Sequence, residues 1–124
     1  MLARMITHVK FVGIPTRNQD AALAFYTEKL GFRVATDQPM GSQRWIELRL
    51  GAADTGLVLF TPEGHEDRIG TFFNGSFATD SVERTYEELT GKGVEFVQAP
   101  QKQPWGTFAI FKDVDGNQIV LSSR

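Results

Sequence analysis

"ALAFYTEKLGFRV" (residues 22–34) decides the fold, because the chain repeats it one module later. Leu23, Tyr26 and Leu30 share one face of a helix predicted over residues 21–30. Asp20 stands where a cap is needed, and Gly31 supplies the left-handed stop. Upstream, "VKFVGI" (9–14) is apolar and β-branched, so it reads as a strand interrupted by Pro15. Downstream come "FRVATDQ", "RWIELRL" and "GLVLFT", separated by "PMGSQ" and "GAADT". The order is strand, helix and three strands.

After the loop "PEGHEDRIG" (62–70) the same order begins again. "FFNGSFAT" reads as a strand, and Asp80 with Glu83 gives a D-x-x-E capping signal. Val82, Tyr86 and Leu89 line a helix that ends in "GKG", followed by the strands "VEFVQ", "TFAIFK" and "NQIVLSS". Asp20 pairs with Asp80, Tyr26 with Tyr86 and Gly31 with Gly93, a period of about 60 residues. The expectation is an α+β protein of two tandem βαβββ modules, about residues 7–62 and 71–124, in a single domain over 1–124. One short helix covers only one face of a four-stranded sheet. In "RWIELRL", Ile46, Leu48 and Leu50 share one side, and Trp45, Glu47 and Arg49 the other. The second side is expected to curve around a ligand cleft, to pack against another subunit, or both.

Composition narrows the function. Net charge is -2 and no Lys/Arg stripe is present, so nucleic-acid binding lacks its electrostatic footprint. No cysteine means no disulfide, thiolate catalysis or Cys-ligated zinc. "MLARMITHVKF" has no long apolar segment and no stretch is long enough for a bilayer, so no membrane partner and a cytoplasmic location are expected. On that footing the formal glycosylation triplet "NGS" (74–76) is set aside.

The paired modules, the "ALAFYTEKLGF" helix and the closing "DVDGNQIVLSS" resemble the vicinal oxygen chelate superfamily. That group includes glyoxalase I, extradiol dioxygenases, fosfomycin-resistance enzymes and bleomycin-resistance binding proteins. The resemblance covers nearly the whole chain and implies the fold. It leaves the chemistry open, because one fold hosts many activities. Metal enzymes of the superfamily carry one ligand on the first and one on the last strand of each module. The matching positions here are Phe11 and Val58, then Asn74 and Val120. Three apolar side chains and one amide make no divalent-metal site, so no cofactor is expected. An insertion in "PTRNQD" would instead bring His8 to the first ligand position and restore a metal-dependent lyase, isomerase or dioxygenase reading.

The remaining candidates divide in the same way. His65, Glu66 and Asp67 form an acidic loop cluster that reads as solvated. "DVDGN" lacks the later acidic ligand of a calcium loop and reads as a turn between strands. Glu47 is the acid expected to point inward. It is either an Arg-paired strand residue, an orienting contact for a ligand, or a general base in a metal-free enzyme. Phe11, Trp45, Val58, Trp105 and Val120, with Glu47 and Asn74 as polar contacts, suit a flat apolar or aromatic small molecule. Homodimers are what the resemblance implies for assembly.

Overall fold

In the computed structural model, which describes residues 5–123, the two-module alternation becomes two four-stranded sheets. The first holds β1 (Phe11–Pro15), β2 (Arg33–Met40), β3 (Gln43–Arg49) and β4 (Gly56–Phe60), in the order β1-β4-β3-β2. The second holds β5 (Gly75–Thr79), β6 (Glu95–Gln103), β7 (Gly106–Lys112) and β8 (Gln118–Ser123), in the order β5-β8-β7-β6. The first strand of each module lies parallel to the last, and the other pairs are antiparallel. The crossing from β1 uses α1 (Gln19–Ala24), which continues as a π-turn over Phe25–Lys29. The crossing from β5 uses α2 (Val82–Gly91).

Both predicted caps move. Thr16 Oγ1 bonds the Asn18 N–H at 3.1 Å and the Asn18 carbonyl at 3.0 Å, a local turn that holds Asn18 extended. Asn18 Oδ1 then accepts from Ala21 N, so the helix begins at Gln19, and Asp20 instead receives Arg44 Nη1 at 2.7 Å. Thr79 does for Ser81 what Thr16 does for Asn18, and Ser81 Oγ accepts from Arg84 N. Asp80 therefore precedes the cap. The stretch from cap to terminal glycine is one residue longer in the first module, Asn18 to Gly31 against Ser81 to Gly93. The π-turn absorbs that residue, with Leu30 N donating to Phe25 O. Counted from the caps, Tyr26 matches Leu89 and not Tyr86. Gly31 and Gly93 close the helices at φ 85° and 86°.

Strand bounds shift for local reasons. β1 includes Pro15, whose missing N–H costs nothing on an edge strand, while Val9 and Lys10 lie before it. Phe72, Phe73 and Asn74 lie ahead of β5. β6 runs on to Gln103, past "VEFVQ", with register shifts between Gln98 and Gln101 that take in Pro100.

One apolar cluster draws on both modules. Ile14, Ile46, Leu48, Leu57 and Leu59 come from the first sheet, and Ala109, Phe111, Ile119 and Leu121 from the second. Tyr26, Phe32, Val82 and Leu89 close it. A hydrogen-bonded latch joins the modules beside this core. Tyr26 OH donates to Asp113 Oδ2 at 2.7 Å, and Asn117 Nδ2 donates to Asp113 and to the Pro15 carbonyl, each at 2.9 Å. Asn117 Oδ1 accepts from Gly70 N, and Asp115 Oδ1 from Arg17 N. The turn read as "DVDGN" is thus both a β7–β8 connection and the inter-module joint.

Candidate functional site

The face of the first sheet opposite the shared core is concave. Period-2 alternation puts Phe11 and Gly13 of β1, Trp45 and Glu47 of β3, and Val58 and Phe60 of β4 on it. The register supports this, since Glu47 pairs with Val58 and Gly13 with Val58 across the ladder. Phe11, Gly13, Met40, Gln43, Trp45, Val58 and Phe60 enclose a volume of about 390 Å³.

Its wall is a T-shaped pair: Phe11 and Trp45 have ring centroids 5.3 Å apart at 86°. Val58, 2% exposed, is the floor. Gly13 makes the opposite side possible, because a Cβ there would lie 2.9 Å from Phe60 Cε1. The glycine lets the Phe60 ring lie flat across β1. Gln43 is fixed at the rim by two bonds to the Thr61 backbone, at 3.0 and 2.9 Å. Apart from Gln43 the lining offers no charged or amide side chain among the described residues.

Glu47 stands on the same face beside this concavity. Its Oε2 accepts from Arg49 Nη2 at 2.7 Å and from Arg49 Nε at 3.0 Å, and Arg49 Nη1 continues to the Asp54 carbonyl. Gly56 leaves room for the pair, since a Cβ there would come within 3.1 Å of both partners. Glu47 is buried and ion-paired, with Oε1 free of hydrogen bonds among the described residues.

Of the seven predicted contacts, Phe11, Trp45 and Val58 line one volume and Glu47 adjoins it. Asn74, Trp105 and Val120 lie apart, on the second module. Val120 pairs with Ser76 and Ile110 on the second sheet's outward face. Trp105 sits in the β6–β7 turn, not at a strand start, 66% exposed and stacked on Phe108 at 5.8 Å. Because the sheets share a core through their other faces, the two outward faces point away from each other within one chain.

The positions matched to metal ligands hold Phe11, Val58, Asn74 and Val120, and this donor set does not fit a divalent cation. His8 precedes β1 in an exposed segment, its Nδ1 bonded to Thr7 Oγ1 at 2.9 Å. With Phe11 on the concave face, the shifted register that would bring His8 inward does not form. His65 precedes a short 3-10 turn (Glu66–Arg68) on the surface. Among the described residues no three His, Cys, Asp or Glu side chains converge. Among them, too, no helix is long and apolar enough to cross a membrane.

Sequence reading missed Gly13, Phe60, Met40 and Gln43. Gly13 inside a β-branched strand was the available signal, because an interior glycine marks a close approach. Phe60 shares the parity of Val58. Met40 and Gln43 end and begin strands at a two-residue turn, so the loop expected over residues 39–43 is shorter than its composition suggests.

Comparison with known proteins agrees with this architecture. The family model for the Glyoxalase/Bleomycin resistance protein/Dioxygenase superfamily matches residues 6–121. YetH, an uncharacterized protein of Bacillus subtilis (strain 168), is 36% identical over 121 residues, 94% of this chain and 98% of its own. The crystal structure of TnmS3, an antibiotic binding protein from Streptomyces sp. CB03234, superposes with a TM-score of 0.88 at 34% identity, covering 98% of each chain. UcmS2 gives 0.86 at 37% identity, covering 95% of this chain and 98% of its own. The chain belongs to the glyoxalase/bleomycin resistance protein/dioxygenase superfamily.

Proposed function

We propose that the protein binds a flat apolar or aromatic small molecule on the concave face of its first sheet, without a resident metal and without turnover. The observation that carries this is the lining: an edge-to-face Phe11–Trp45 wall, a Val58 floor and a Phe60 ring laid over Gly13. Aromatic walls with few polar groups favour planar ligands. TnmS3, at 34% identity over almost the full chain, is an antibiotic binding protein, which supports the same use here.

The reading includes a homodimer acting in the cytoplasm. The concave face is open, and the second sheet of the same chain points elsewhere. A second copy could close it with the face that carries Asn74, Trp105 and Val120, so that all seven predicted contacts serve one site. Glu47, with one oxygen held by Arg49, orients a donor group of the ligand through the other. The alternative in which Glu47 moves a proton needs a substrate within hydrogen-bond reach of Oε1.

The test is titration of Trp fluorescence with planar aromatic probes such as acridine orange and anthracene-2-carboxylate, with and without EDTA. Saturable one-to-one binding that survives EDTA and is lost in Trp45→Ala is expected. Binding that appears only after nickel, manganese, iron(II) or zinc is added would overturn it in favour of a metal-dependent enzyme.

A further inference from the structure

The seam between the modules has two unlike sides, and the second side holds a cavity that the proposed function does not use. On one side lies the latch of Tyr26, Asp113 and Asn117. Counted from the caps for the helix and along the ladders for the turn, the matching positions on the other side are Leu89, Leu50 and Thr55. There the β3–β4 turn replaces "DVDGN", and no buried side-chain latch forms among the described residues; one long bond, Lys92 Nζ to the Lys29 carbonyl at 3.5 Å, crosses the gap. Two concavities occupy it instead, of about 240 and about 200 Å³. Phe32, Leu50 and Phe77 line both, so the two lie side by side along one trough-like stretch of the seam.

The trough is amphipathic along its length. At one end Lys29, Lys92 and Glu88 supply the charged lining, with the Thr79 and Thr85 hydroxyls 2.7 Å apart beside them. Lys92 is engaged, 3.5 Å from Glu88 Oε1 and 3.5 Å from the Lys29 carbonyl. Lys29 Nζ lies 5.7 Å from the Phe25 ring centroid and pairs with no carboxylate among the described residues. The other end is lined by Val12, Leu57 and Phe73 and carries no charged side chain. A cation at one end and an apolar channel behind it is a match for one class of molecule.

We infer that this trough is a second binding site, for a single-tailed acyl carboxylate. The carboxylate sits between Lys29 and the threonine hydroxyls, and the chain runs past Phe32, Leu50 and Phe77 toward Phe73. Burial of the tail is the main attraction, since each methylene removed from water adds to the affinity. The lysine sets the sign of the headgroup. Because the site spans both modules, its occupant clamps the side of the seam that has no latch.

The probe is sodium decanoate, titrated calorimetrically into the full chain below its micellar range, with decyltrimethylammonium as the opposite-charge control. Decanoate is expected to saturate at one per chain and to bind at least tenfold tighter than the cationic control. Lys29→Met should cost about tenfold in decanoate affinity, and Leu50→Glu, at a half-exposed position that tolerates a charge, should abolish binding. Trp45→Ala, which strikes the concave face, should leave decanoate affinity where it was. Equal binding of both amphiphiles, or decanoate binding lost in Trp45→Ala but kept in Lys29→Met, would overturn the site. So would a change of sedimenting mass in Leu50→Glu with no decanoate binding to the parent, because a second copy would then cover the trough. If Leu50→Glu fails to fold, Lys29→Met and the charge control decide the question.

Discussion

The first and second modules share a topology and almost nothing of its use. The turn after the third strand of each shows this most plainly. In the second module "DVDGN" gathers Asp113 and Asn117, buried, and Asp113 accepts four hydrogen bonds from Tyr26, Asp115 and Asn117. In the first, "LGAAD" at the same place leaves Leu50 40% exposed. The outward faces differ in the opposite sense. The first is an aromatic concavity over a 2%-exposed valine, while the second ends in an exposed Trp105. Two equivalent scaffolds thus differ in use: the first carries the proposed ligand face, and the second carries the joint that holds the pair together.

Asn117→Ala should break that comparison hardest. It removes three side-chain hydrogen bonds and strands the Pro15 carbonyl and Gly70 N–H in a buried place. Unpaired buried groups cost about 1–3 kcal/mol each, so a loss of about 2–6 kcal/mol is expected in urea denaturation. Asp54→Ala, in the exposed turn that takes this place in the first module, should stay within about 0.5 kcal/mol. Equal effects would mean that the turns are interchangeable. Gly13→Ala is next, at about 1–3 kcal/mol, because its Cβ would lie 2.9 Å from Phe60 Cε1 and the ring must move. Aromatic-probe affinity should fall with it. Ser76→Ala, the second-module counterpart on an exposed face, should change neither. Trp45→Ala follows, with at least a tenfold loss of probe affinity, ~1.4 kcal/mol. If Trp105→Ala costs as much in the same titration, the second face closes the site from another copy. If it costs nothing, the first face binds alone.

Much of this was legible in residue order because it depends on short-range period. Period-2 alternation put Trp45, Glu47 and Arg49 on one side of β3, and the ladder keeps them there. Repetition of strand, helix and three strands required only hydrophobic pattern and glycine stops. What was not legible depends on contacts across the chain or on competition at a single turn. The caps were assigned to acids, but Thr16 and Thr79 each organise the residue two positions on, and that geometry outranks helix-dipole preference. Pairing Tyr26 with Tyr86 by residue identity failed because one inserted residue, absorbed by the π-turn, changes the phase. Nothing local to Tyr26 announces that its partner lies 87 residues away. The side-chain parity of Phe11 and Val120 was readable, whereas the direction in which their two sheets face one another was not.

Tyr26→Phe gives the smallest effect and the sharpest reading of the latch. The mutation removes one bond while Asn117 still satisfies Asp113 Oδ2, so about 1 kcal/mol is expected near neutral pH. Tyr86 has its ring edge-on to Phe96 at 4.7 Å and its hydroxyl without a hydrogen bond among the described residues, so Tyr86→Phe should be nearly neutral. The pH dependence separates a bonded phenol from a merely packed one. Burial, and then the Asp113 carboxylate beside it, push the Tyr26 phenol well above its ordinary value near 10. The folded state therefore keeps a proton that the unfolded chain releases above about pH 10. The stability that Tyr26 contributes is fully present below that pH and falls as pH rises beyond it. Urea midpoints of the parent protein should drop between about pH 10 and 11, and this drop should be shallower in Tyr26→Phe. An alkaline limb of unchanged slope in that variant would show that the phenol ionises as readily in the fold as outside it, and that the inter-module joint rests on the bonds of Asn117 and Asp115 without Tyr26.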